Sequence, residues 1–160
     1  NLAALGFTDH AQQASLFTPQ MLADIKTSKR TVHEILTMAS LLEREVRSAK
    51  DKAIVADIFF FLYDVGMGLQ ADSSIHYATA TEGELFTTNA QRETKNPWNT
   101  YKYPELPPGP IAAPSLASIK AAIYPQKNDY WYFLTTVDTG EVKYATTLAE
   151  HNTNVYKYLR

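Results

Sequence analysis

"TVHEILTMASLLEREVR", residues 31–47, is the stretch on which the fold turns. Thr31 and Glu34 form a capping box: the threonine hydroxyl and the glutamate carboxylate each satisfy a backbone N–H that the first helical turn leaves free. The helix it opens is expected to run to about Ser48. On a wheel of about 100° per residue, Ile35, Leu36, Met38, Ala39, Leu41, Leu42 and Val46 form one broad apolar arc. Glu43 falls on one shoulder of that arc, between Ala39 and Leu36. Glu45 falls on the other, between Leu41 and Met38, and Arg44 points away. Either shoulder suits partial desolvation, which raises a carboxyl pKa toward the range of a general acid. The plainer reading pairs Glu43 with Arg47 at i+4 and leaves Glu45 solvated, and periodicity alone favours it.

Working outward, Thr18-Pro19 opens a short helix, with threonine as cap and proline at the first helical position. Lys50-Asp51-Lys52 punctuates, and a second long helix is expected from about Asp51 to Val65, with Ile54, Val55, Ile58, Phe59 and Leu62 on one face. "GMG" (66–68) ends it. After "LQADSSIHYA" comes a stretch of over 30 residues, from about Thr79 to Pro114, rich in Thr, Asn, Pro and Gly. Trp98, Tyr101 and Tyr103 argue that this stretch is folded, because disordered tracts are poor in aromatics. Ser115 caps a helix over 116–123. "YWYFLTTV", "DTG" and "EVKYAT" read as a β-hairpin, and Thr147 with Glu150 opens a C-terminal helix. The expected architecture is a single α+β domain over 1–160: several helices packed with a small antiparallel hairpin and long groove-lining loops.

Composition sets limits on function. The 160 residues carry 45% hydrophobic and 20% charged residues, with a formal net charge of -2 and no basic block. A nucleic-acid partner is disfavoured, since phosphate neutralisation needs clustered Lys and Arg. There is no cysteine, which excludes disulfides and thiolate metal sites. His10, His33, His76 and His151 lack the helical spacing of a zinc pair, and no P-loop, dinucleotide fingerprint or G-x-S-x-G appears. No metal or organic cofactor is expected. No apolar run reaches the ~18 residues of a membrane span. Trp98, Tyr101, Tyr103, Tyr130, Trp131 and Tyr132, with Gln70, Asn96 and Asn99, suit a carbohydrate site; they suit ordinary core and rim positions equally well.

The order of features is more specific than any one of them. "ILTMASLLERE", "DKAIVADIFFFLYDVGMGLQADSSIHY", "NTY", "LPPGPIAAPSLASIKAAIYP", "YWYF" and "EHNTNV" follow one another in a series that resembles the catalytic domain of the endolytic murein transglycosylases, the YceG-like family. The resemblance covers roughly 31–160, and residues 1–30 match weakly. It implies cleavage of the peptidoglycan bond between N-acetylmuramic acid and N-acetylglucosamine, leaving 1,6-anhydromuramoyl ends. It also implies action on the extracytoplasmic face of a bacterial membrane, an N-terminal membrane anchor, and partners among cell-wall synthesis or division proteins.

By the same resemblance the essential glutamate is the first of the Ala-Ser-apolar-apolar-Glu-basic-Glu motif, Glu43, acting first as acid and then as base, with desolvation by Leu36 and Ala39 as the expected source of a raised pKa. Gln70, Asp72, Asn99 and Tyr101 match motif positions expected to line the cleft, followed by Tyr77 and His151. Two departures stand out: Phe61-Leu62 where the family often has Asn-Arg, and Ser73-Ser74 where Leu-Gln-Thr/Ser-Asp-Pro-Thr is common. The alternative from another class is a peptidoglycan-binding scaffold domain with little activity. A third reading is a two-carboxylate hydrolase using Glu43 with Asp72 or Glu45.

Overall fold

In a computed structural model of the chain, residues 16–81 and 83–160 are described; His10 and half of the weakly matched leading segment lie outside them. The capping signals act as read. Thr18 accepts a hydrogen bond from Met21 N to open α1 (Pro19–Thr27). Both halves of the Thr31/Glu34 box are made, and α2 (Val32–Glu45) follows. Every residue of α2 from Ile35 to Leu42 is buried, Thr37 and Ser40 included, so α2 is a central helix and not an amphipathic surface one. Ser40 is satisfied there: its hydroxyl donates to Thr37 O and accepts from Ile111 N.

The helix stops at Glu45, three residues short of the expected Ser48. Val46 is extended (φ -139°, ψ 154°), because Ser48 serves as N-cap of the next helix and accepts from Asp51 N. That helix, α3 (Ala49–Asp64), therefore starts two residues early and takes in Lys50-Asp51-Lys52, which does not punctuate. Arg30 ties the start of α2 to the end of α3 by an ion pair with Asp64 at 2.9 Å and a stack on Phe60. Next come α4 (Asp72–Thr79), a single turn α5 (Asn89–Arg92) and α6 (Leu116–Ile123). The chain ends in β1 (Tyr132–Thr135), β2 (Val142–Ala145) and α7 (Leu148–Leu159). The fold is α+β, as expected.

Packing centres on α2. Helix α6 lies across both α2 and α3, and Ile35, Leu36, Met38, Leu41, Leu42, Val55, Ile58, Phe59 and Ile119 are almost wholly buried there. Burying each large side chain contributes about 1.5–3 kcal/mol. The strands pair antiparallel, with Tyr132 opposite Ala145 and Thr135 opposite Val142. A two-stranded hairpin is marginal alone; here Phe59 meets Phe133 edge-on, Tyr144 donates to Asp51, and α7 covers the strands.

The long loop is folded, and hydrogen bonds hold it. Asn99 is fully buried; its amide donates to Arg92 O and Thr94 O and its oxygen accepts from Tyr101 N. Thr100 then reaches back to the "LQAD" segment: its carbonyl accepts from Gln70 N, and its hydroxyl accepts from Ala71 N. This contact needs Gly68, where a Cβ would sit 2.7 Å from Thr100 O. Gly68→Ala is expected to destabilise the fold by about 1–3 kcal/mol through forced backbone displacement. Urea denaturation with unchanged stability would refute that close approach.

Candidate active site

Glu45, the last residue of α2, faces the first turn of α4. Its Oε1 accepts two hydrogen bonds from Ser73, from the backbone N at 3.1 Å and from Oγ at 2.5 Å. Ala71, the N-cap of α4, has no capping side chain, so Glu45 fills that role from 28 residues away. Its backbone carbonyl is held by the Thr135 hydroxyl of β1. Burial of the carboxyl pushes the Glu45 pKa up. The Ser73 bonds and His76 work against that and Asp72 adds to it, and the net result is a raised value.

Asp72 stands beside Ser73, and three groups converge on its Oδ1. Tyr101 OH donates at 2.6 Å, Thr87 Oγ1 donates at 2.8 Å, and the Arg92 guanidinium lies 3.9 Å away. Arg92 in turn donates to Thr87 and stacks over the Tyr101 ring. Burial and the Asp72 carboxylate push the Tyr101 hydroxyl well above its usual value, so it stays a donor. A cavity of about 410 Å³ lined by Asn89, Arg92, Glu93, Tyr101 and Lys102 adjoins this network. The motifs "LERE", "LQAD" and "NTY" thus meet at Glu45, Asp72 and Tyr101.

Glu43 has a different environment. Ser115 N donates to its Oε2 at 3.0 Å, Ser115 Oγ at 2.7 Å and Lys52 Nζ at 3.1 Å, and the Ser118 hydroxyl makes a further short contact. Burial works to raise its pKa, but the serine and lysine donors outweigh it and bring it down to about 2. The expected desolvation by Leu36 and Ala39 is therefore overcome by donors from α6 and α3. Its ion pair is with Lys52, not Arg47. At neutral pH Glu43 has no proton to give; it holds the N-terminus of α6 against α2 and α3.

Other expected site residues separate. Gln70 is exposed, with a left-handed backbone (φ 51°) and its N–H on Thr100. Asn99 is fully buried, and its amide organises its own loop. Tyr77 is half-exposed and packs on Trp98, with ring centroids 4.7 Å apart. His151 belongs to the hairpin side, stacked on Tyr132, and burial lowers its pKa. Of the aromatic set, Tyr130 stacks on Tyr144, and Trp131 meets Phe61 edge-on. Leu62 is core. The departure at Phe61-Leu62 is thus a packing pair on α3 and puts no atom into the Glu45 network.

Ser73, Thr87 and Arg92 join the site without a sequence signal, and Thr87 and Arg92 lie outside every motif. Among the described residues no group of three or more His, Asp or Glu side chains is arranged to hold a metal, and no helix is long and apolar enough to cross a membrane.

A model of the YceG-like family matches residues 6–157. The chain is 36% identical over 148 residues to the endolytic murein transglycosylase of Bacillus subtilis, covering 92% of this chain and 41% of that protein. It is 34% identical over 139 residues to the endolytic murein transglycosylase of Streptococcus pneumoniae, covering 84% of this chain and 25% of that one. The crystal structure of a YceG-like protein from Listeria monocytogenes superposes with a TM-score of 0.81 at 37% identity, over 89% of this chain and 46% of the other. The chain spans less than half the length of each of these relatives. With the ordered motifs folded into one network around Glu45, Asp72 and Tyr101, the chain belongs to the YceG-like family.

Proposed function

We propose that the chain is a peptidoglycan lytic transglycosylase domain whose acid is Glu45, not Glu43. The observation that carries the choice is the contrast between the two carboxyls. Glu45 is pushed up by burial and lies against Ser73 beside Asp72, which Tyr101 holds. Glu43 is pinned ionised by Ser115, Ser118 and Lys52. An acid must hold a proton at working pH, and the carboxyl that burial raises is better suited to that than the one its donors lower. Similarity to enzymes named endolytic murein transglycosylases supports the substrate class.

In this reading Glu45 protonates the oxygen between N-acetylmuramic acid and N-acetylglucosamine as the C1–O bond breaks. The C6 hydroxyl of the muramoyl sugar then bonds to C1, and the Glu45 carboxylate takes the proton that hydroxyl releases. The product is a 1,6-anhydro ring, and Glu45 ends as it began. No water is consumed, so a second carboxylate to activate it is unnecessary. Asp72, held at its Oδ1 by Tyr101 and Thr87, suits a positioning task. Peptidoglycan lies outside the cytoplasmic membrane, so the domain works on the extracytoplasmic side; a membrane anchor and cell-wall synthesis or division partners belong to the same proposal.

The test is digestion of purified peptidoglycan, with the ends analysed by mass spectrometry. Anhydromuramoyl ends are expected from the wild type and not from Glu45→Gln. Reducing ends would point to hydrolysis instead, and retained binding without cleavage to a scaffold.

A further inference from the structure

Ser73 is one of the serines by which this chain departs from the proline-containing pattern, and it is the side chain that touches Glu45 most closely. Its two donors go to the same carboxylate oxygen, Oε1, at 3.1 and 2.5 Å. An oxygen that already accepts two hydrogen bonds is the poorer site for a proton. The acidic proton is thereby directed to Oε2. A proline at this position would have neither donor.

We infer that Ser73 is a positioning residue for Glu45: its N–H and hydroxyl fix Oε1 as the accepting oxygen, leave Oε2 to carry the proton toward substrate, and steady the carboxylate once that proton has gone. The inference rests on Glu45 as the acid and adds how that acid is aimed and when it titrates. Both donors favour the ionised form, and so they offset part of the burial that favours the protonated one. The other groups facing this carboxyl are Asp72 and His76 of α4, which oppose each other in sign. Behind Asp72 stand Tyr101 from the loop and Arg92 of α5. Arg47, close in sequence, lies instead against Gly140 in the hairpin turn.

Ser73 is the second residue of α4, where its N–H has no partner within the helix and where proline is tolerated. Three variants therefore separate its contributions: Ser73→Ala removes the hydroxyl, Ser73→Pro removes both donors, and Ser73→Thr keeps both. The measurement is a carboxyl carbon NMR titration of glutamate-labelled protein, with Glu45 assigned from Glu45→Gln, beside the pH profile of peptidoglycan cleavage. The Glu45 midpoint is expected to rise by about one unit in Ser73→Ala and further in Ser73→Pro, with Ser73→Thr close to wild type. The alkaline limb of cleavage should rise with it. kcat should fall about tenfold in Ser73→Ala, with KM little changed, because the lost bond aims the acid and does not bind the sugar.

A Glu45 midpoint unchanged in both Ser73→Ala and Ser73→Pro overturns the inference, whatever happens to activity. A midpoint that moves while the cleavage profile stays fixed leaves Ser73 as the partner of Glu45 and removes Glu45 as the acid. The spectra report folding in the same experiment, so a variant that merely unfolds is recognised, and Ser73→Thr still provides the comparison.

Discussion

Glu45→Gln is expected to lower kcat for peptidoglycan cleavage by about 10²–10⁴-fold and to leave the protein at least as stable as the wild type at neutral pH. The two halves of this expectation have one cause. Burial raises the Glu45 pKa, so the folded state holds that proton more tightly than the unfolded chain does. For an acid shifted upward, stability is fully present below the unfolded pKa and falls as pH rises toward the folded one. Above that window the native protein keeps a poorly solvated carboxylate at the mouth of α4. Glutamine has the same shape and can accept the Ser73 bonds through its amide oxygen, without the charge. Thermal melts from pH 4 to pH 8 should show the wild type losing stability relative to Glu45→Gln as pH rises. A variant that melts far lower than wild type across the range would make Glu45 a structural residue and remove the reason for naming it the acid.

The parts of this fold legible in the sequence are those whose signals are local. Thr18-Pro19, Thr31 with Glu34, Ser115 and Thr147 with Glu150 announce their helices because a cap acts within one turn. The end of α2 falls short of Ser48 because that residue starts the next helix, and the extended approach to it terminates the previous one. Helix α4 carried no such signal, since its N-cap is Ala71 and the carboxylate that caps it comes from another helix.

The same distinction governs the site. The helical wheel set Glu43 and Glu45 symmetrically about the apolar arc, and no local pattern separates them. What separates them arrives from Ser73, 28 residues on, and from Ser115, 72 residues on. The first brings one residue's two donors and a neighbouring negative charge; the second brings serine donors and stands beside a buried lysine. Asn99 shows the distinction from the other side. An amide in an aromatic loop is expected to line the cleft, and its hydrogen bonds go to the loop itself.

Glu43 is where the largest stability effect is expected. Its side chain is 30% exposed, while Lys52, its ion-pair partner, is only 6% exposed. Truncation to alanine leaves that lysine buried without its counter-charge and frees the Ser115 N–H at the start of α6. Loss of one partner of a buried pair costs about 3–5 kcal/mol, and partial exposure of Glu43 puts the expectation for Glu43→Ala at the lower end, about 3 kcal/mol. Glu43→Gln, which keeps an acceptor for the serines, should cost about 1–2 kcal/mol. The pH dependence runs opposite to that of Glu45. A carboxyl lowered to about 2 contributes stability that is present above the unfolded value and is lost as pH falls from about 4.5 toward 2. Acid unfolding of the wild type should therefore be steeper in that window than that of Glu43→Gln.

Cleavage assays at a temperature where both proteins are folded complete the test. With Glu45 as the acid, Glu43→Gln should retain most of the wild-type rate per folded molecule, since the Glu43 carboxyl is bonded to Ser115 and Lys52. A Glu43→Gln protein with wild-type stability and no cleavage would reverse the two assignments, because the donors around Glu43 would then be arranged for catalysis and not for holding the helix.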